Sequence, residues 1–182
     1  MKILNRLTYA AEQTPPVTVR GQAVMVKPHQ VVLWVSVSVR GLVKWDSRTP
    51  VFPAILDTGN TFTFSIFQSQ LIQWAGIRPE LLRVLGQIRL AGRYYPRREA
   101  DVWLHPNLPG KRDVQPSGQP VRLNLEKGIA VYPGTATPAP HLPLLGLQAL
   151  TENDLYLTVD GQRRQVSLRS LDWQTRILRW LS

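Results

Sequence analysis

The sequence predicts a mostly-β domain with one or two short helices, and three patterns support this fold class. Residues 30–39 alternate at a period of two, which places Val31 and Leu33 on one face of a predicted strand. Asp160-Gly161 separates two further alternating segments and is typical of a two-residue hairpin turn. Helical spacing of apolar residues is confined to short stretches, so strands account for most of the predicted regular structure.

Length and composition indicate a single globular domain. The chain has 182 residues, and its 43% hydrophobic and 19% charged content excludes a disordered chain. No apolar segment approaches the roughly 20 residues of a membrane-spanning helix. Asn5 and Arg6 interrupt the amino-terminal stretch that superficially resembles a signal peptide. The lack of cysteine excludes disulfides, thiol catalysis and cysteine-bound metals. We therefore expect a cytoplasmic protein with no membrane partner.

The charge balance favours an anionic partner. The net charge is +10, from 22 Lys and Arg against 12 Asp and Glu, and such a balance attracts nucleic acids and acidic proteins. The cations are scattered, with mild clusters at Arg93–Arg98 and Arg163–Arg179, and no basic run is long enough for a nucleic-acid arm. Solubility alone also accounts for such a charge, and nucleic acid stays an alternative partner.

The amino-terminal half is predicted to consist of strands. Residues 1–16 end in Pro15-Pro16 and predict an irregular arm or a short edge strand. Alternation or apolar runs between turn residues then predict four strands. These strands are 17–26, 30–39, 41–45 and 52–56.

The middle of the chain mixes short helices with strands. Glycine and proline mark where the predicted helices begin and end. In order, the predictions are a strand at 61–66, a helix at 67–74 that ends at Gly76, one or two helical turns at 79–85 that end at Gly86, and a hairpin of strands 87–92 and 94–104.

The carboxy-terminal part returns to strands after a proline-rich loop over 105–120. The predictions that follow are strands 121–125 and 128–132, a proline-rich connection at 133–143, a short buried strand at 144–146, a helix at 147–151, a hairpin of strands 155–159 and 164–168, and a terminal strand or helix at 170–182.

The segment that ends at Asp57 carries the clearest chemical signal. An apolar strand runs directly into Asp57-Thr58-Gly59-Asn60. A carboxylate in an apolar setting is costly unless donors serve it, so we expect the N–H groups of Gly59 and Asn60, and the Asn60 side chain, to bond Asp57. An ordinary turn at a strand end explains the same letters, and the wider context has to distinguish the two.

That context resembles the retropepsin-like aspartic proteases, in particular the bacterial single-domain members. The resemblance covers residues 30–168 and consists of a fixed order of features. Apolar-apolar-Asp-Thr-Gly at 55–59 is followed by a strand, a short helix, a hairpin, and then Leu144-Leu145-Gly146. Asn60 departs from the Ala, Ser, Thr or Phe that is commoner after the Asp-Thr-Gly. Leu147-Gln148 stands where retroviral members have an arginine that ties the dimer.

The resemblance implies a closed β-barrel-like fold and a homodimer that acts on a peptide or protein substrate without metal or cofactor. Chain 1–182 would be one domain, with a core at 17–168, an arm at 1–16 and a segment at 169–182 at the dimer interface. The residues it implicates fall into three groups. Asp57, Thr58 and Gly59 would be catalytic, Asn60, Leu144, Leu145 and Gly146 would support them, and Leu90, Ala91, Gly92, Arg93 and Tyr94 would form a flap over the substrate.

The chemistry of this family needs two carboxylates that share one proton, because like charges this close cannot both ionise. No second Asp in the chain begins an Asp-Thr/Ser-Gly motif, and the nearest candidate, Asp46-Ser47-Arg48, lacks the glycine. The second carboxylate is therefore expected from a second copy of the chain, across a two-fold axis.

Two other functions stay open. One is a catalytically silent peptide- or protein-binding module with the same fold, and the other is a basic nucleic-acid-binding β-domain. Other chemistries lack their motifs. His29, His105 and His141 are isolated from one another, and there is no nucleophile elbow, phosphate-binding glycine loop or zinc signature.

Overall fold

The computed structural model describes residues 1–12, 14–60, 62–90, 92–134 and 141–170. Within these ranges it contains fourteen strands, two α-helices of six residues each and one 3₁₀ helix. The predicted mostly-β class with two short helices is confirmed. No helix in the described ranges is long and apolar enough to cross a membrane.

The elements follow one another along the chain with short connections. The strands are β1 (Lys2–Thr8), β2 (Val17–Val19), β3 (Gln22–Val24), β4 (Val31–Ser38), β5 (Phe52–Asp57), β6 (Phe64–Phe67), β7 (Val84–Leu90), β8 (Arg93–Arg98), β9 (Asp101–His105), β10 (Val121–Leu123), β11 (Ile129–Tyr132), β12 (Leu144–Gly146), β13 (Leu155–Asp160) and β14 (Gln165–Ser170). The helices are α1 (Gln68–Gln73), the 3₁₀ helix Pro79–Leu81 and α2 (Leu147–Glu152).

Nine strands form one mixed sheet in the order β10-β9-β4-β5-β12-β6-β11-β8-β7. The sheet is open, and the expectation of a closed barrel is wrong for the described residues. Its two edges are β10, which has only three residues, and β7, the outer strand of a hairpin. These edges do not pair with each other, because each is bonded only to its inner neighbour.

The centre of this sheet has an unusual connection that positions the Asp57 turn. β5 and β6 are consecutive in the chain, yet β12 lies between them, parallel to β5 and antiparallel to β6. The register sets Gly146 beside Asp57. Because β4 and β12 flank β5, its residues from Phe52 to Leu56 are all buried. The carboxyl end of a fully buried strand is therefore a rigid base for the turn.

A second sheet has the order β1-β14-β13 and joins the start of the described chain to its end. Residues 1–16 were predicted as an arm or an edge strand, and the edge-strand alternative fits because β1 pairs with β14 alone. Leu4 and Leu7 of β1 are fully buried in the core. The predicted core boundary at residue 17 is therefore wrong. Residues 171–182, most of the predicted interface segment, lie outside the described residues.

Three predicted segments differ from the structure because backbone pairing overrides local pattern. The segment 17–26 is a tight hairpin, since Arg20 and Gly21 both have positive φ and reverse the chain between β2 and β3. The segment 94–104 is two strands, because β8 pairs with β7 and β11 whereas β9 pairs with β4. Residues 41–45 form no strand.

Two predicted turns also differ. The helical turns expected over 79–85 shorten to the 3₁₀ helix, and Gly86 lies inside β7 at a shift of register rather than at a helix end. The final hairpin has a four-residue loop instead of the two-residue Asp-Gly turn. Asp160 stays in the ladder opposite Gln165, and its carboxylate accepts the Arg163 N–H at 2.9 Å.

Helix α1 and its end agree with the sequence prediction. The Gln70 side chain accepts the Phe67 N–H at 3.1 Å and so caps the first turn. Gly76, with φ of 72°, follows the helix and lets the chain reverse. The buried residues Leu71 and Trp74 attach α1 to the core.

A buried histidine links β4 to β9 away from the Asp57 turn. The Ser36 hydroxyl lies 2.9 Å from His105 Nε2, and the indole of Trp45 meets the imidazole edge-on at 5.2 Å. His105 is 4% exposed, and this burial lowers its pKa to about 4. The pair is closed to solvent and acts as a structural contact.

Acid is therefore expected to destabilise the protein through His105. As the pH falls from about 6.5 to 4, the unfolded chain binds a proton that the folded chain does not, so the free energy of unfolding falls by about 3 kcal/mol. Above pH 6.5 this contribution is fully present. Urea unfolding followed by circular dichroism at each pH measures it, with His105→Gln as the comparison. Parallel pH profiles for the two proteins would contradict the assignment.

Candidate active site

Asp57 ends β5, and the turn that follows it folds back on its carboxylate. The Gly59 N–H donates to Asp57 Oδ1 at 2.9 Å, as expected from the sequence. The Asn60 N–H donates at 3.1 Å to the backbone carbonyl of Asp57, not to its side chain. Asp57 is half-buried, whereas Thr58 and Gly59 are exposed. One carboxylate oxygen is thus held by a backbone donor at the surface of the protein.

The expected role of Asn60 as a side-chain donor to Asp57 is wrong. Its amide donates to the Ser65 hydroxyl at 3.2 Å, and its carbonyl accepts the Phe62 N–H at 3.2 Å. The side chain therefore turns toward β6 and ties the turn to the start of that strand. Asn60 supports the site by bracing the backbone that carries the Gly59 donor.

Gly146 fits beneath the turn because it has no side chain. A Cβ at this position would overlap the Phe62 carbonyl oxygen and come within 2.8 Å of the Asn60 carbonyl oxygen. Its N–H donates to the Thr63 carbonyl at 3.0 Å, which holds β12 against the chain leaving the turn. Its φ of −87° is open to any residue, so the need for glycine here is steric.

The two leucines before Gly146 have different surroundings. Leu145 is fully buried and pairs with Leu56 in the core. Leu144 is half-buried and lines the open space beside Asp57. This division follows from the alternation of side chains along a strand.

A cavity of about 340 Å³ opens beside Asp57. Its wall is mainly apolar, with Gln30, Ser65, Gln70 and His141 as the polar contributors besides Asp57. The remaining lining residues are Ile55, Ile66, Phe67, Tyr132, Leu142, Pro143 and Leu144. An apolar pocket with a few polar groups and one carboxylate is a typical ligand site.

A second cavity of about 620 Å³ connects the Asp57 turn to the predicted flap. Gly59 and Asn60 line it together with Arg93 and Tyr94. It shares Ser65, Phe67, Tyr132 and Leu144 with the first cavity, so the two form one cleft. The cleft therefore passes from the 340 Å³ pocket, along Asp57, to the hairpin.

The predicted flap corresponds to the tip of the β7–β8 hairpin. Leu90 pairs with Arg93 across the tip, and Gly92 has a φ of 78°, which suits a tight reversal. Ala91 lies outside the described residues. Tyr94 is largely exposed, and the Arg89 guanidinium lies 6.0 Å from the centre of its ring. The structure thus brings the hairpin and the turn to one cleft.

An aromatic cluster in the cleft was missed by the sequence prediction. Tyr132 lies at its centre, with Tyr95 edge-on at 5.1 Å and Phe67 at 6.1 Å between ring centres. Burial and the neighbouring Tyr95 raise the pKa of the Tyr132 hydroxyl. These residues belong to three different strands, and no short motif joins them in the sequence. Only the alternation of β8 and β11 could have suggested that they face one side.

Asp57 is the one carboxylate among the described residues that line this cleft. No group of three or more His, Asp or Glu side chains in the described ranges is arranged to hold a metal ion. Comparison with family models, with curated proteins and with solved structures finds no match to this chain. The geometry of the chain itself therefore carries the functional argument.

Proposed function

We propose that the chain is a retropepsin-like aspartic endopeptidase that works as a homodimer, with one Asp57 from each subunit in the active site. The observation that carries this proposal is the position of Gly146 against the Asp57 turn. The Leu-Leu-Gly strand lies parallel to the strand that ends at Asp57, and its glycine occupies space that no side chain could share. An ordinary surface turn has no need of such support.

The proposed reaction uses the two carboxylates as acid and base. The ionised Asp57 takes a proton from water while the water oxygen attacks the peptide carbonyl carbon, and the protonated Asp57 donates to the carbonyl oxygen. The resulting tetrahedral diol collapses, the C–N bond breaks, and the leaving nitrogen takes a proton from the dyad. The Gly59 N–H, 2.9 Å from Oδ1, would hold the carboxylate in place throughout.

A partner subunit is required because the cleft of one chain contains one carboxylate in its described part. Thr58 and Gly59 are exposed directly beside Asp57, so a second copy can approach this surface. A two-fold axis through it would set the two Asp57 side chains against each other. The exposed Thr58 hydroxyl is then available to the partner, as the family resemblance implies.

The cleft suits an extended peptide. Its total length runs from the 340 Å³ pocket to the β7–β8 hairpin, and the mainly apolar wall of the pocket favours a large apolar side chain next to the scissile bond. Closure of the hairpin would exclude water from the reacting groups. Main-chain hydrogen bonds from the substrate would supply affinity without regard to sequence.

Subunit mixing tests the shared site. Wild-type protein is mixed and re-equilibrated with increasing amounts of Asp57→Asn at a fixed total concentration. If each site needs both carboxylates, activity falls with the square of the wild-type fraction, so an equal mixture retains about a quarter of it. A fluorogenic peptide library reports the activity, and sedimentation velocity reports the dimer.

Asp113→Asn is the matched control, since Asp113 is an exposed acid in the loop after β9. Mixing with this variant should leave the activity unchanged. Activity that falls in direct proportion to the wild-type fraction would show that one chain suffices and would overturn the dimeric mechanism. A protein that binds peptides without cleaving any would instead be the silent binding module.

A further inference from the structure

One face of β8 presents charge and aromatic surface to the cleft together. Side chains alternate along a strand, so Arg93, Tyr95 and Arg97 share a face. Arg93 lines the 620 Å³ cavity with Gly59 and Asn60, and Tyr95 contacts the Tyr132 ring in the same cavity. The cation at the tip of the hairpin therefore belongs to the cleft that contains Asp57.

Arg93 has no carboxylate of its own in the described part of the chain. Other arginines do: Arg83 and Arg40 both pair with Glu99, at 3.2 Å and 2.6 Å. Neither a hydrogen bond nor an ion pair joins the Arg93 guanidinium to another described residue, and no acid other than Asp57 lines the cleft. An exposed guanidinium with five unused donors at a binding cleft is suited to an anion.

A second arginine on the same face strengthens the local positive charge. Arg97 and Lys127 line a small cavity that shares Phe62 with the main cleft. The Nε atom of Arg97 is buried and has no hydrogen-bond acceptor among the described residues. The face of β8 thus holds two cations with spare donors, and the pairing of Arg97 with Ala130 fixes the second one in the sheet.

We propose that Arg93 selects substrates with an Asp or Glu side chain at the position that reaches the β7–β8 hairpin. This inference rests on the proposed function, because it assigns the substrate class of the same cleft. A carboxylate matches the guanidinium fork and forms charge-assisted hydrogen bonds with it. The net charge of +10 attracts an acidic peptide over a longer range.

The expected preference is modest because Arg93 is exposed to solvent. An exposed ion pair changes binding by about three- to fivefold, and salt weakens it. A preference of this kind is therefore expected to be clear at low ionic strength and to shrink at about 1 M salt. A preference set by shape alone would not depend on salt.

Defined octapeptides test the inference. Each carries Phe at the centre, to fill the apolar pocket, and Glu at one other position, with a Gln peptide as its partner. Binding is measured by fluorescence polarisation on the Asp57→Asn protein, and cleavage is measured on the wild type. We expect the Glu peptide to bind about three- to fivefold better at one position. Arg93→Glu should abolish or reverse this preference.

Arg122→Glu is the matched control, because Arg122 is an exposed arginine on β10 at the opposite edge of the same sheet. It makes the same change of net charge and should leave the preference intact. Equal binding of Glu and Gln peptides, or an equal loss in both charge variants, would overturn the inference.

The remaining outcomes separate the inference from the proposed function. Glu-selective binding that depends on Arg93, without cleavage by the wild type, would support the inference and refute the endopeptidase. Cleavage with no Glu preference would do the reverse. Binding of no peptide at all would refute both. Displacement of the peptides by a single-stranded 12-mer oligonucleotide, dependent on Arg93, would assign the cation to nucleic acid and overturn the inference.

Discussion

Asp57→Asn is expected to abolish peptide hydrolysis while the fold is retained. The amide has nearly the same shape as the carboxyl group but cannot take a proton from water, and loss of such a group costs up to about 10⁴-fold in rate. The side chain is half-buried and accepts a hydrogen bond from the Gly59 N–H, which an amide oxygen can also accept. The free energy of unfolding is therefore expected to change by no more than about 1 kcal/mol. Cleavage of a fluorogenic peptide and urea unfolding measure the two effects.

The control for this experiment is again Asp113→Asn, which removes one exposed negative charge from the loop between β9 and β10. It should retain full activity and stability. Near-wild-type cleavage by Asp57→Asn would refute the role of Asp57 as a catalytic residue. Loss of activity accompanied by unfolding would be assigned to stability, and Asp57→Glu, which keeps the charge but moves it, would then separate the two causes.

Gly146→Ala is expected to have the largest effect on stability of any single methyl addition at this site. The new Cβ would overlap the Phe62 carbonyl oxygen, and backbone atoms cannot rotate away as a side chain can. Overpacking of a rigid site costs about 3 kcal/mol or more. Relief of the overlap would push β12 from β5 or move the Asp57 turn, so the surviving folded protein should also lose activity. Thermal and urea unfolding give the first effect, and peptide cleavage gives the second.

Gly161→Ala is the matched comparison for this substitution. Gly161 is an exposed loop glycine with ordinary φ, and no atom lies within 4 Å of the position that an added methyl group would take. Alanine there should be neutral or stabilise the protein by up to about 1 kcal/mol, through a less flexible unfolded chain. A Gly146→Ala protein as stable as Gly161→Ala would show that the turn and β12 are not in close contact.

Local pattern was sufficient where a strand or helix depends on its own residues. β4, β5 and α1 lie where periodicity predicted them, because each presents an apolar face that must be buried. β12 was also predicted, although it has only three residues, since Leu144-Leu145-Gly146 is bounded by prolines before it and a helical pattern after it. The contact of Gly146 with the turn follows from the same motif.

The order of the strands could not be derived from local pattern. The split of 94–104 into β8 and β9 depends on which partners those strands find, and both partners are distant in sequence. The open edges of the nine-stranded sheet depend in the same way on long-range pairing. Sequence alternation predicts a strand and its two faces, but it carries no record of the neighbour on either side.

The site was predictable in its backbone and less so in its side chains. The donor from Gly59 follows from the tight turn after Asp57, whereas the Asn60 side chain had two sets of partners within reach. It bonds Ser65 because β6 passes directly beneath the turn. The aromatic wall at Tyr132 requires three strands to meet, and only the assembled sheet brings Phe67 and Tyr95 to it.

The place of β12 also sets an order of assembly for a growing polypeptide. β5 and β6 are synthesised well before residues 144–146, and the edges that they will offer to β12 stay unpaired in the meantime. Pairing over such a separation is slow, and open strand edges invite contact with other chains. The loop that carries Asp57 consequently gains its floor only after the carboxy-terminal part has emerged. A nascent chain would therefore complete its catalytic loop late, after most of the polypeptide that could be cut has already folded.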